Sequence, residues 1–240
     1  SKNLRPIKYL EYKGSAQIKS SIILAALKTE GKTFIKCKPS RNHTELLCKY
    51  LKLPLKVKKK KNYDLIEVQK AQKIKPLNYK IPSDISSGAF FIVLTALSNN
   101  SKLLIRDVNI NPSRIGIITI LKKMGVNIQF KNKKSYKGEL LADILITSAK
   151  KLKPINCPPK LNSGAIDEFL IIFLVAAKAS GISYFKDIGE LNQKESPRLK
   201  WGAKILNKMG IKTITTDNSI KIFGKPNLKI NKKIVIKDYL

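Results

Sequence analysis

Three twelve-residue segments of this chain share one plan and align without a gap: LAALKTEGKTFI from Leu24, LTALSNNSKLLI from Leu94 and LVAAKASGISYF from Leu174. Gly31, Ser101 and Gly181 fall at the same position in them. Each begins at the end of an apolar run of helical character and passes through a turn into a short β-rich stretch. A second shared element follows. LCKYLKL, LKKMGVNI and LNKMGIKT each close a helical pattern and lead into a strand, with Gly125 and Gly210 where a left-handed helix C-cap favours glycine. The unit is helix, strand, loop, helix, strand, and it recurs about every 70 to 80 residues. That period is too long for a common solenoid and predicts an α/β domain assembled from a few βαβ-containing modules.

Equivalent loops of these modules carry the polar chemistry. Ser15-Ala16-Gln17 opens the first helix of the first module, Asp84-Ile85-Ser86-Ser87 that of the second and Asp167 that of the third. The strand-to-helix loops hold Ser40-Arg41-Asn42-His43, Asn111-Pro112-Ser113-Arg114 and Lys194-Glu195-Ser196-Pro197-Arg198. Helix N-termini present unpaired N–H groups and the positive dipole end, so polar residues gathered there form anion sites. Ser86 and Ser113 are read as N-caps. Arg41, Arg114 and Arg198 are not explained that way, since a cap needs no arginine and a planar guanidinium fork matches phosphate or carboxylate. The last loop puts a lysine, a carboxylate and an arginine at one helix start, which suits an anionic substrate that also exchanges protons. A second acidic site, Asp167-Glu168, stands just before the apolar run FLIIFLVAA. Either acidic site alone reads most simply as a cap or a solvated charge. Their recurrence at matching places favours function.

Charge raises a different class of function. With 48 Lys+Arg against 16 Asp+Glu, the net charge is +32, and a basic nucleic-acid-binding module is the obvious charge-based hypothesis. The distribution argues against it: lysines far outnumber arginines and are scattered, whereas nucleic-acid readers concentrate arginine and interleave exposed aromatics. The densest run, KVKKKKN at 56–62, lies between two alternating segments and reads as a solvated hairpin tip. At 240 residues and 43% hydrophobic, the chain has material for one large core or two smaller ones. No apolar stretch reaches the roughly 18 to 20 residues that span a bilayer, and the opening SKNLRPIKYLEYKG lacks the apolar centre of a signal peptide. The expectation is a soluble, cytoplasmic protein with no membrane partner. Cys37, Cys48 and Cys157 follow no metal-ligand spacing, and His43 is the sole histidine, so the reading is no metal, no disulfide framework and buried, inert thiols.

In chain order, SAQIKSSIILAAL, SRNHTELL, IPSDISSGAFFIV, NPSRIGIITILKKMG, IDEFLIIFLVAA and QKESPR resemble the motifs of the 5-enolpyruvylshikimate-3-phosphate synthase family, essentially along the whole chain. Any one of these motifs is weak; their agreement in order and spacing carries the resemblance. It implies an enolpyruvyl transferase-like inside-out α/β barrel, with two globules built of repeated βαβαββ units and only part of them in this chain. Residues 1–82 correspond to the second part of one globule and 83–240 to most of the other, joined near Pro82. The resemblance also implies an internal fragment, inactive by itself. The family's N-terminal half-domain has no counterpart before Ser1, and an Asp-His-Arg motif would follow KIVIKDYL, where this sequence stops at Leu240.

The activity implied is transfer of the enolpyruvyl group of phosphoenolpyruvate to the 5-hydroxyl of shikimate 3-phosphate with release of phosphate, in chorismate and aromatic amino acid biosynthesis. It requires neither metal nor organic cofactor. The resemblance further implies these two small anions as partners, no nucleic acid, and a monomer when complete. Carried over by position, Ser15, Ala16 and Gln17 form a substrate-binding turn, in which Ser15 and Gln17 contact shikimate 3-phosphate and Gln17 reaches the enolpyruvyl group. Ser40 and Arg41 lie near the 3-phosphate. Asp167 resembles the carboxylate that handles the proton of the 5-hydroxyl, and Glu195 the acid that protonates the phosphoenolpyruvate methylene. Lys194 resembles a shikimate 3-phosphate-binding group, and Arg198 a phosphoenolpyruvate-binding arginine. Addition to an enol ether needs a proton at carbon and a base at oxygen, while clustered cations hold two mutually repelling phosphates.

Two positions depart from the family pattern: Pro197 and Asn42 stand where aspartate is common. Proline is tolerated at a helix start, so Arg198 keeps its place. A related transferase acting on UDP-N-acetylglucosamine shares the implied fold but lacks the Lys-Glu-Ser/Thr-x-Arg signature in this form, and QKESPR therefore separates the two readings.

Overall fold

The computed structural model describes residues 3–230; the closing KIVIKDYL lies outside the described residues. The chain divides into two compact units, one running through Ile81 and taking in Lys134–Leu141, the other comprising Pro82–Lys133 and continuing from Ala142.

The first unit contains β1 (Lys8–Glu11), α1 (Ala16–Ala26), β2 (Lys32–Cys37), α2 (His43–Tyr50), β3 (Leu55–Lys59) and β4 (Asp64–Gln69). Its sheet runs β1-β2-β4-β3, with β1 parallel to β2 and the other pairings antiparallel. Alternation sets the faces. In KTFIKC and DLIEVQ every second residue points inward, so Ile35, Cys37, Ile66 and Val68 meet Ile23, Ala26 and Leu27 at one helix and Cys48 of α2. The KVKKKKN segment is the expected hairpin: it leaves β3 through a turn in which the Lys60 N–H donates to the Tyr63 carbonyl at 2.9 Å. Residues 134–141 join this unit through the Tyr79–Tyr136 ring contact, 5.3 Å between centroids, and through His43 Nδ1, 2.5 Å from Glu139 Oε1.

The second unit holds α3 (Ile85–Leu97), β5 (Lys102–Asn109), α4 (Gly116–Lys123), α5 (Phe169–Ala177), β8 (Ile182–Lys186), α6 (Arg198–Lys208), β9 (Thr213–Thr215) and β10 (Ser219–Phe223), and most of β6 (Asn127–Tyr136) and β7 (Glu139–Thr147). Its sheets run β5-β7-β6 and β8-β10-β9. Single parallel bridges, Ser83 to Val108 and Asn156 to Tyr184, stand where β1 pairs with β2 in the first unit. The repeat therefore has one leading and one trailing strand beyond the two helices and two strands read from sequence, and its full order is βαβαββ three times. FLIIFLVAA is apolar on all sides, and α5 is accordingly a buried central helix packed against α3, α4, α6 and β10. Phe169, Phe173 and Phe185 stack around it with ring centroids 5.2 to 5.9 Å apart. Among the described residues no helix is long and apolar enough to cross a membrane.

The second helix of every repeat ends in one way. The N–H groups of Leu53, Val126 and Ile211 donate back to the carbonyls of Cys48, Leu121 and Leu206 at 2.9, 3.0 and 2.9 Å, each across a residue of positive φ: Lys52 (57°), Gly125 (93°) and Gly210 (83°). This is the Schellman closure, which satisfies carbonyls that a helix end leaves open. Gly125 and Gly210 were expected in that role from sequence; Lys52 fills it in the first repeat.

Candidate active site

In the first unit, Ser15 adopts an extended backbone (φ −80°, ψ 112°), and its Oγ accepts the Ile18 N–H at 3.3 Å, so it is the N-cap of α1. The turn before it is tied to the buried Glu11 carboxylate, which accepts the Lys13 and Gly14 N–H groups at 2.8 Å each. Ala16 and Gln17 are the first two residues of the helix, and Gln17 is exposed. Ser40 and Arg41 lie half-buried in the β2–α2 loop. Lys19, one turn into α1, is fully buried; its Nζ sits 2.6 Å from Glu45 Oε1 and donates to the Arg41 carbonyl at 2.9 Å. Ser20 and Thr44 add a hydroxyl pair at 2.7 Å between the same helices. Sequence reasoning singled out neither Lys19 nor Glu45. A signal existed, because Lys19 shares the buried stripe of Ile23 and Ala26, at spacings of four and seven, and a lysine on such a stripe calls for an acidic partner.

In the second unit, Arg198 is the first residue of α6, and its guanidinium reaches two carboxylates: Nη1 is 3.6 Å from Asp167 Oδ1, and Nη2 donates to Glu195 Oε2 at 2.7 Å. Three of the four residues singled out here are thus together. The fourth, Lys194, pairs through Nζ with Glu190 Oε1 at 3.0 Å. Asp167 does not cap α5: Glu168 holds the N-cap position and makes no capping bond of its own. Glu195 is mostly exposed. Its own backbone N–H, and then the Arg198 guanidinium, hold its carboxyl below the usual carboxylate range.

The middle repeat shows the same construction turned inward. Asp84 caps α3, accepting the Ser87 N–H at 2.8 Å, and pairs with Arg114, whose Nη2 lies 2.8 Å from Asp84 Oδ1 and 2.6 Å from Ser86 Oγ. Ser86 in turn donates to the buried Glu168 at 2.5 Å. Burial pushes the Asp84 carboxyl up, but the Ser87 N–H and the Arg114 charge outweigh it and leave the group below its ordinary value. The capping roles read for Ser86 and Ser113 are corrected here. Asp84 is the cap of α3, and Ser113 instead bonds the Asn111 side chain at 2.8 Å two residues before Ile115, the N-cap position of α4. Position decides the first case: Asp84 has the extended N-cap backbone (φ −82°, ψ 129°), whereas Ser86 is already the second residue of the helix. All three thiols are buried and unpaired with one another, and burial pushes Cys37 and Cys157 up to about 11.

Repeated βαβαββ units, with arginine–carboxylate pairs at helix starts in the second and third, define an α/β class, and the same fold occurs in the enolpyruvyl transferase NikO of Streptomyces tendae, at a TM-score of 0.66 and 14% identity. The EPSP synthase of Acinetobacter baumannii is nearer, with a TM-score of 0.83 and 38% identity over 93% of this chain and 49% of that one. The family model for EPSP synthase (3-phosphoshikimate 1-carboxyvinyltransferase) matches residues 1–236, and the chain belongs to that family. The 3-phosphoshikimate 1-carboxyvinyltransferase of Ruthia magnifica is 41% identical over 221 residues, 90% of this chain and 50% of the relative. That of Caldicellulosiruptor saccharolyticus is 40% identical over 230 residues, covering 95% and 53%. The chain thus spans about half the length of the curated relatives it matches. Its fold is the enolpyruvyl transferase type expected from the sequence.

Proposed function

We propose that the protein carrying this chain transfers the enolpyruvyl group of phosphoenolpyruvate to the 5-hydroxyl of shikimate 3-phosphate, with release of phosphate. The observation that carries this reading is Arg198 standing between Asp167 and Glu195 in a chain of this family. An arginine fork binds an anionic ligand, and two carboxylates beside it supply a base and an acid. In the first unit, Ser15, Ala16, Gln17, Ser40 and Arg41 serve shikimate 3-phosphate; in the second, Lys194 serves the same substrate and Arg198 phosphoenolpyruvate.

The electrostatics add a step. Its own backbone N–H, and then Arg198, favour the ionised form of Glu195 and oppose its acting as an acid. An anionic ligand that takes the Arg198 guanidinium for itself removes one of the two contacts that favour the ionised form, the other being Glu195's own backbone N–H, and so shifts Glu195 toward protonation. Asp167, also relieved of Arg198, is left to accept the proton of the 5-hydroxyl.

Phosphate release from the two substrates by the full gene product that carries this chain tests the reading. Asp167→Asn and Glu195→Gln keep shape and remove proton transfer, so each should lower turnover by about 10² to 10⁴ with substrate affinity within several-fold. Arg198→Ala should weaken phosphoenolpyruvate more than shikimate 3-phosphate and move the Glu195 midpoint upward in a carboxyl-resolved NMR titration. Unchanged turnover in both carboxylate variants would overturn the assignment.

A further inference from the structure

We infer that Lys19 and Glu45 are positioning residues: their buried ion pair locks the Ser40–Arg41 loop to the Ser15-capped start of α1, an inference that rests on the assignment of those two segments to shikimate 3-phosphate. Lys19 belongs to the same first turns of α1 as Ser15 and Gln17, and its Nζ is bound both to Glu45 Oε1 at 2.6 Å and to the Arg41 carbonyl at 2.9 Å. One ammonium thus fixes the backbone of one segment relative to the other. The Ser40 hydroxyl makes no bond among the described residues that would hold the loop from its own side.

The arrangement is costly for a purely structural element. Lys19 is 0% exposed and Glu45 6%, and a buried ion pair is commonly matched or bettered in stability by apolar residues of equal volume. One Glu45 oxygen, Oε2, is also buried without a hydrogen-bond partner among the described residues. What an apolar pair cannot do is hold the Arg41 carbonyl. A donor held at that carbonyl sets the direction of the Arg41 peptide at the start of α2, where a substrate phosphate would be received.

The paired variant Lys19→Met with Glu45→Leu separates positioning from stability, with Glu45→Gln, which preserves shape, as the second variant. The paired variant should fold with a melting temperature near that of the parent. Amide exchange at Leu46, whose N–H makes the first backbone bond of α2 to the Asn42 carbonyl, should nonetheless accelerate. The expected factor is roughly tenfold to a hundredfold, the worth of one charge-assisted hydrogen bond. Exchange at Leu53, at the far end of the same helix, should be unchanged. Glu45→Gln should accelerate Leu46 several-fold. Calorimetric titration with shikimate 3-phosphate should show the paired variant binding at least tenfold more weakly than the parent. Leu46 exchange equal to the parent in both variants, or acceleration of Leu46 and Leu53 alike, would overturn the inference whatever the ligand does. A parent chain that fails to bind shikimate 3-phosphate would instead count against the substrate assignment, and the exchange comparison would still decide whether the pair holds the loop.

Discussion

Lys52 occupies a backbone conformation that glycine takes in the other two repeats. Left-handed φ in a residue with a Cβ carries strain on the order of 1 kcal/mol or more, while glycine loses roughly 0.5 to 1 kcal/mol in extra chain entropy on folding. The two terms oppose each other, so Lys52→Gly should be neutral to stabilising by at most about 1 kcal/mol. The reciprocal changes are unequal for a reason visible in the surroundings. A Cβ at Gly210 meets nothing within 4 Å, and Gly210→Ala should cost only the strain, about 1 kcal/mol. A Cβ at Gly125 would stand 2.9 Å from the Lys151 carbonyl oxygen, so Gly125→Ala should cost about 2 kcal/mol or more, since the backbone must also move. Urea unfolding of the three variants checks the order; equal losses at Gly125 and Gly210 would show that the Lys151 contact yields freely.

At the level of elements, the starts of α3, α4 and α5 are held to one another by a polar chain from Asp84 through Arg114 and Ser86 to Glu168. Its end is a buried carboxylate beside Asp167, so its integrity bears on where that residue sits. Ser86→Ala removes a donor that Glu168 uses in a poorly solvated place, and the expected loss is about 1 to 3 kcal/mol in thermal unfolding. A loss under about 0.5 kcal/mol, typical of an ordinary surface change, would show that other groups carry Glu168. The three helix-turn-strand segments were legible because a repeated apolar period is written directly in the chain, and the arginine loops because each repeat presents them at one place. The pairing inside those loops was not. Whether Ser86 caps a helix or feeds a carboxylate 82 residues away depends on which strands bring the two starts together, and that follows from the fold and not from the local sequence. The leading strands of the second and third repeats were hidden for a related reason: one bridge each, at Ser83 and at Asn156, leaves no alternation to read.

For the whole molecule, the +32 charge opposes compaction, and the short supply of carboxylates gives it little internal compensation. Among the described residues the ion pairs range from buried to exposed. Lys19–Glu45 is buried and insulated from salt, whereas pairs such as Lys200–Asp217 are largely exposed and contribute little. Screening should therefore act mainly on repulsion among exposed lysines, with a Debye length of about 10 Å at 0.1 M. Raising sodium chloride from about 10 mM to about 200 mM is expected to increase the melting temperature by about 2 to 4 °C, the shift that corresponds to roughly 1 kcal/mol in a chain of this size. A net stabilising role for exposed pairs predicts the opposite sign, because salt weakens attraction as readily as repulsion. The same screening has a second consequence. Phe90, Phe91 and Leu94 of α3 are 60 to 64% exposed, an apolar surface whose self-association charge repulsion should restrain at low salt. Light scattering recorded along the same salt series should rise as the melting temperature rises, and replacing Phe91 by Lys should abolish the scattering increase while leaving the thermal shift. A melting temperature that falls with salt would mean that the exposed ion pairs, and not the lysine excess, govern the stability of this chain.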